Sequence, residues 1–207
     1  MTTNPFRFPD ELHQRSQSPE QLLRYQDFKP VLRVEFSKKC VYCRDPDTVR
    51  GSDGYGVDHY LPRKHFPHLV RHYPNLFYAC NPCNRRKGIF VSTADLFIPN
   101  PCDHRMAEHL RFDDGHVEAL TVSGRFACEL LLLNEPERKR FRTLVLRSIE
   151  SNLRVIEELR VGLERIEAEM RSPKVSDSRA AGLGSERAAV IEDLRELDQV
   201  VALLSGL

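Results

Sequence analysis

The chain has 207 residues, 41% of them apolar, and its 31 Lys/Arg nearly balance its 30 Asp/Glu, leaving a formal net charge of +1. This length accommodates one well-packed domain with an appendage and argues against two unrelated large domains. No apolar run approaches the roughly 20 residues that span a bilayer, and the opening MTTNPFRFPDELHQRSQSPE lacks the charged-then-apolar layout of a signal peptide, so a cytoplasmic location is expected.

Residues 1–18 are polar and proline-containing and are expected to be irregular. From Pro19, PEQLLRYQDF has a helical start, with Leu22 and Tyr25 three apart on one face and Leu23 beside them. In KPVLRVEFSKK, Pro30 opens a second short helix. From Cys40 to about Phe112 the chain is dense in Pro, Gly, His and Cys without a long periodic run, the pattern of a small module organised by metal. VEALTVSGRFACELLLLN reads as a short strand or hairpin running into a brief helix.

After Asn134, an expected N-cap with Pro136 in the first turn, the pattern becomes strongly helical. Ile149, Ile156, Leu163 and Met170 fall seven apart, with Leu159 and Ile166 on a second line that Asn152 interrupts. RSPKVSDSRAAGLGSE is expected to break the helix. Val190, Leu194, Leu197, Val201 and Leu204 then repeat the heptad pattern. Two such seams joined by a loop predict an antiparallel helical hairpin, packed on itself or offered to a partner protein or a second copy. The expected organisation is α+β: an N-terminal helical lead over 1–36, a core over 37–133 and the hairpin over 134–207.

Charge follows these divisions. Phe36–Phe90 holds ten Lys/Arg against Asp45, Asp47, Asp53 and Asp58, a net of +6, whereas Glu150 to the end holds twelve acidic and eight basic residues, a net of −4. A basic centre fits phosphate contact there and a different task for the acidic end.

Four of the six cysteines form two pairs, Cys40-x-x-Cys43 and Cys80-x-x-Cys83, the usual thiolate set of a tetrahedral structural Zn²⁺. All four ligands are spent on a closed site, so this metal should hold the fold and leave no open position for water or substrate. The 36 residues between the pairs become one loop displayed around it. Cys102 and Cys128 read as small apolar residues.

Inside that loop lies GYGVDHYLPRKHF, with Asp58 directly before His59. An Asp-His dipeptide alone is ordinarily a surface pair or a satisfied histidine. Here fifteen residues separate His59 from Asn75 and eight separate Asn75 from Asn84, which follows Cys83 in CNPCNRRKG. The combined pattern, Cys40 to Gly88 and about a quarter of the chain, resembles the HNH endonuclease family in the version framed by two Cys-x-x-Cys pairs. The resemblance implies a zinc-framed ββα-metal core, of treble-clef type, in which a hairpin carries Asp58 and His59 and a helix starting near Cys83 carries Asn84. It implies His59 as the general base activating water, Asp58 and Asn84 as ligands of one catalytic ion, and Asn75 as the residue holding the loop and the His59 ring. Asn84 stands where the family commonly has His; an amide oxygen is a harder ligand than imidazole and favours Mg²⁺ or Mn²⁺. Arg63, Lys64, Arg85, Arg86 and Lys87 flank the site and suit phosphate contact or a solvated rim. His65, His68 and His72 read as exposed loop histidines.

A looser likeness extends to about Arg142. FIPNPCDHRMAEHLRF, DDGHVEA and LLLLNEPERKRFR are similar in order and wording to the region after the core of bacterial HNH proteins of the Septu and retron-associated type. Those proteins work beside an ATPase in anti-phage defence, which implies the C-terminal helices as a docking surface. The expectation is therefore a metal-dependent endonuclease acting on DNA in preference to RNA, set against a non-catalytic Cys₄ module that binds nucleic acid or scaffolds a partner.

Overall fold

The computed structural model describes residues 4–17, 19, 24–173 and 175–206, and Leu22 and Leu23 lie outside them. The chain is mixed α/β, with two small two-stranded sheets and a helical C-terminal part. It divides into one unit of Met1–Leu144 with Gly206–Leu207 and a second of Val145–Ser205. The boundary falls inside a helix.

Residues 4–17 carry no helix or strand. A 3-10 turn, Tyr25–Phe28, leads into helix α1, Lys29–Glu35, with Pro30 in the first turn as its fixed φ favours. After a knuckle at residues 39–46 and the short helix α2, Asp47–Arg50, strand β1 (Tyr55–His59) pairs antiparallel with β2 (Leu76–Cys80). The register sets Asp58 opposite Phe77 and His59 opposite Leu76. Every residue of β2, LFYAC, is buried, as a continuous apolar run requires. Helix α3, Asn81–Lys87, follows β2 directly, with Pro82 in its first turn and Gly88 ending it at φ 55. The short helix α4, Met106–His109, precedes a second hairpin of β3 (Leu110–Asp113) and β4 (His116–Ala119). Its turn residues, Asp114 and Gly115, both have positive φ, 34 and 82, the requirement of a tight two-residue hairpin. Helix α5, Val122–Leu130, is capped by Thr121, whose hydroxyl accepts from the Gly124 amide at 3.1 Å.

One apolar core joins these parts. Phe8, Phe28, Leu32, Phe36, Tyr42 and the β2 residues pack with Ile98, Met106, Leu110, Val117, Ala127 and Leu133. Asn134 does not cap the next helix: its Oδ1 accepts from the Val117 amide and its Nδ2 donates to the Val117 carbonyl, each at 2.8 Å, tying the chain to β4 instead.

Helix α6, Pro136–Met170, continues into the second unit, and α7, Asp177–Ser205, returns after a break confined to residues 171–176. The break is shorter than the sequence predicts, because Gly182 and Gly184 sit inside α7, where each costs only about 1 kcal/mol relative to Ala. Arg179 pairs with Glu169 at 2.8 Å and Arg187 with Glu167 at 3.0 Å, separations that close around the break and make the two helices antiparallel. The seam matches the heptad reading: Ile149, Ile156 and Val201 are buried and Leu159, Leu163, Val190, Leu194, Leu197 and Leu204 half-buried, while Met170 is exposed.

The irregular N-terminal segment is fastened by one buried acid. Glu35 accepts from the Ser16 amide at 2.6 Å, from the Ser16 hydroxyl at 3.0 Å, from Tyr73 Oη, and from His13 Nε2 at 3.3 Å. Arg15 spreads its guanidinium over Phe36, Tyr73 and Phe77 and donates to the Leu76 carbonyl at 2.8 Å. Burial works to raise the Glu35 carboxyl, but the hydrogen bonds outweigh it and hold it below its ordinary range. A depressed carboxyl contributes stability that is present above its unfolded-state pKa and is lost as pH falls through the folded value. Replacing Glu35 by Ala leaves several buried donors unpaired and should cost about 3 kcal/mol, seen as a lower melting temperature and new proteolytic cleavage within residues 10–17; unchanged cleavage would mean that the segment is held elsewhere.

Candidate metal centre and active site

The two cysteine pairs converge. Cys40, Cys43, Cys80 and Cys83 are buried, and their Sγ atoms all lie within 4.8 Å of one another. Cys43 Sγ and Cys80 Sγ are 3.7 Å apart, close to the ~3.8 Å edge of a tetrahedron with 2.3 Å Zn–S bonds. The donor set and its spacing fit a structural zinc ion. The first pair comes from the knuckle, the second from the junction of β2 and α3, so an ion bound there would clamp the hairpin and its helix onto α1.

Arg138, in the first turn of α6, donates from both terminal nitrogens to Cys83 Sγ at 3.6 Å. Burial disfavours its charge, but the thiolates of Cys43, Cys83 and Cys80 outweigh that and hold it firmly protonated. Fully buried Arg142, one turn on, donates to the Leu133 carbonyl at 2.8 Å and lies 3.6 Å from Asp45. Sequence reasoning assigned neither arginine a role; a four-thiolate site demands a compensating cation, but not at a position readable from spacing.

Asp58 and His59 close β1 and are both buried, 3% and 8% exposed. Strand alternation sends them to opposite faces. Asp58 Oδ2 accepts from Tyr42 Oη at 2.5 Å and Oδ1 from Lys87 Nζ at 3.1 Å; Lys87 Nζ also donates to the His59 carbonyl at 2.7 Å. Lys87, grouped by sequence with the phosphate contacts, is therefore a buried internal cation facing Asp58, its side chain 1% exposed. On the last turn of a seven-residue helix, its long stem reaches inward where Arg85 faces solvent.

His59 Nε2 lies 3.0 Å from the Val70 carbonyl. A carbonyl only accepts, so Nε2 carries the proton and Nδ1 is left with its lone pair. Burial pushes the His59 pKa below the ordinary imidazole value, against the Val70 contact and Asp58, so the ring is neutral near pH 7. Tyr25 packs edge-on against the ring at 4.6 Å between centroids. Asn75 fixes the loop: its Oδ1 accepts from the Leu61 amide at 2.8 Å, its Nδ2 donates to the Leu61 carbonyl at 3.0 Å and lies 3.5 Å from that of Leu69, beside Val70. Asn84 Nδ2 donates to the Val57 carbonyl at 3.3 Å, bringing α3 to the β1 strand and leaving Oδ1 as the atom that could bind an ion.

Asp58 and His59 end β1 on opposite faces, Asn75 immediately precedes β2 beside them, and Asn84 is tied to the Val57 carbonyl. Fit to a divalent ion is partial: Asn84 offers an oxygen, but both Asp58 oxygens are engaged, and among the described residues the cysteines form the one cluster of three or more His, Cys, Asp or Glu ligands. Arg63 and Lys64 are exposed, Arg63 lying against Tyr25 with its Nη1 3.2 Å from the hydroxyl. Arg85 and Arg86 line a cleft of about 560 Å³ with Arg50, Asp45, Glu135 and Arg138, and Arg86 is paired with Glu135 at 2.8 Å. His65, His68 and His72 are exposed, and Cys102 and Cys128 are half-buried.

Similarity to known proteins bears on this arrangement. The chain is similar to Septu protein PtuB of Bacillus thuringiensis. The two are 28% identical over 114 residues, which cover 53% of this chain and 44% of the relative. No protein-family model and no solved structure matches the chain. No helix is long and apolar enough to cross a membrane among the described residues.

Two outcomes test this geometry. Elemental analysis of the purified protein should find one zinc per chain, lost together with the fold on Cys43→Ser; a fully folded, zinc-free variant would remove the metal from the fold. Lys87→Met should destabilise by about 3 to 5 kcal/mol by stranding the Asp58 charge, and adding Asp58→Asn should restore most of the loss; additive losses in denaturant melts would show that the two side chains do not depend on each other.

Proposed function

We propose that the chain is a metal-dependent endonuclease of the HNH type that hydrolyses phosphodiester bonds of DNA, and that it serves in anti-phage defence beside a companion ATPase. The observation that carries this reading is the state of His59: a buried, neutral imidazole whose Nε2–H is spent on Val70, leaving Nδ1 as a proton acceptor. Hydrolysis needs a base titrating near or below neutrality, and this imidazole has that character. The hairpin-plus-helix with its four-cysteine cluster, Asn75 just before β2 and Asn84 tied to Val57, supports the HNH assignment, and likeness to a Septu protein supports the defence role.

In this reading His59 Nδ1 removes a proton from water as the water oxygen attacks phosphorus, forming one P–O bond as the bond to the departing sugar oxygen breaks. Asn75 keeps the ring in register by holding the loop that presents Val70. Asp58 and Asn84 would hold Mg²⁺ or Mn²⁺, which would neutralise charge at the phosphate. Arg63, Lys64 and Arg85, exposed on this unit, supply sequence-independent phosphate contacts. Engagement of both Asp58 oxygens by Tyr42 and Lys87 favours a second reading, a non-catalytic zinc module that binds nucleic acid or a partner.

Supercoiled plasmid incubated with Mg²⁺ or Mn²⁺ separates the two. The wild type should nick it, EDTA should abolish nicking, and His59→Ala with zinc retained should lose about 10² to 10⁴-fold in rate. Because His59 must be neutral to act, the rate should fall as pH drops through its lowered pKa. Equal cleavage by wild type and His59→Ala would sink the catalytic assignment; absence of cleavage by either, with a companion ATPase also supplied, would favour the scaffold.

A further inference from the structure

A second cationic site lies on the knuckle. Lys39 and Arg44 bracket Cys40 and Cys43, and the backbone draws them to one side: Arg44 N donates to the Cys40 carbonyl and Cys40 N to the Asp45 carbonyl, each at 3.0 Å, while Lys39 bridges to Pro46. Both line an open cavity of about 290 Å³ together with Asn4, Arg7 and Asp10.

Among the described residues that line it, the cavity carries a net positive charge. Asp10 is held by Arg7 at 2.5 Å, leaving Lys39 and Arg44 as two net positive charges. Lys39 is 9% exposed, and Arg44 lies close enough to repel it. Arg44 Nε is buried without a hydrogen-bond partner. Burying donors and cations unpaired is costly, by about 1 to 3 kcal/mol for a single neutral donor and more for a charge. The thiolates of Cys40 and Cys43 offset part of the Arg44 charge, yet among the described residues neither cation donates to a sulfur, as Arg138 does. Arg44 also sits at φ 62, a conformation few side chains adopt and glycine tolerates freely. Glycine is therefore the replacement at 44 that removes the side chain without straining the backbone.

We propose that this cavity binds a phosphate group, with Lys39 supplying a point charge and Arg44 a planar set of donors. Two clustered cations with free donors match a tetrahedral oxyanion of charge near −2, and guanidinium pairs with phosphate through parallel hydrogen bonds. The assignment does not rest on the reading of His59.

The test uses the full chain and two variants, Lys39→Met and Arg44→Gly, the second chosen because glycine suits the local φ. Inorganic phosphate, titrated at constant ionic strength against chloride, should bind the wild type in calorimetry and raise its melting temperature. Either variant, with zinc retained, should bind about tenfold more weakly. A DNA duplex identifies the source of the phosphate: if Lys39→Met lowers the slope of log K against log salt by about 1, the cavity takes a backbone phosphate. If that slope is unchanged while phosphate binding falls, the ligand is a free phosphate compound. Phosphate affinity equal in wild type and variants, or none in the wild type, would overturn the proposal. Should Arg44→Gly lose zinc, Lys39→Met decides alone.

Discussion

Four cysteine sulfurs, spaced as a structural zinc ion requires, meet where the knuckle adjoins the β2–α3 junction of this molecule's first unit. The hairpin of β1 and β2 has ten residues and α3 seven, too little to form a stable unit in isolation. A metal ion held by the four cysteines would join the knuckle after α1 to the β2–α3 junction and fix the ends of the long loop between them. Within that closed loop His59 and Asn75 have definite places, and from the junction itself α3 projects with Asn84 and Lys87. The aromatic core of Phe28, Phe36, Tyr42, Phe77 and Tyr78 then closes around the frame.

Polar groups finish what the sulfurs begin. Glu35 gathers the irregular N-terminal segment against Tyr73, and Arg15 lies over the rings flanking β2. Arg138 and Arg142 carry the start of α6 into the same unit, one to a thiolate, the other to backbone carbonyls. Glu35 is matched by several donors, whereas Arg138 relies on one sulfur and buried Arg142 keeps Nε and Nη2 without a hydrogen-bond partner among the described residues.

Legibility in the sequence followed local rule-keeping. The cysteine pairs declare themselves by spacing, the α6 and α7 seam by its seven-residue period, and the starts of α1 and α6 by Pro30 and Pro136. Asp58, His59, Asn75 and Asn84 drew notice through their spacing between the two cysteine pairs. Long side chains were not legible: Lys87 sits in a run of cations, NRRK, that reads as solvated rim, and its inward course depends on Asp58 and Tyr42, which lie 29 and 45 residues away. Asn134 misled for a related reason, since its side chain satisfies β4 and not the helix that follows. The length of the break before α7 was overestimated because Gly182 and Gly184 are compatible with helix once a partner helix packs on Leu183.

The ion pair of Asp58 with Lys87 alters what mutagenesis of this site can say. An Asp58→Ala protein that fails to act has lost a carboxylate and has also stranded an ammonium in the interior beside the His59 carbonyl, so inactivity alone does not distinguish a vanished ligand from a displaced strand. Genetic dissection of such a site is informative pairwise: the side chain of interest and its buried counter-ion must be neutralised together before a loss of turnover can be ascribed to chemistry.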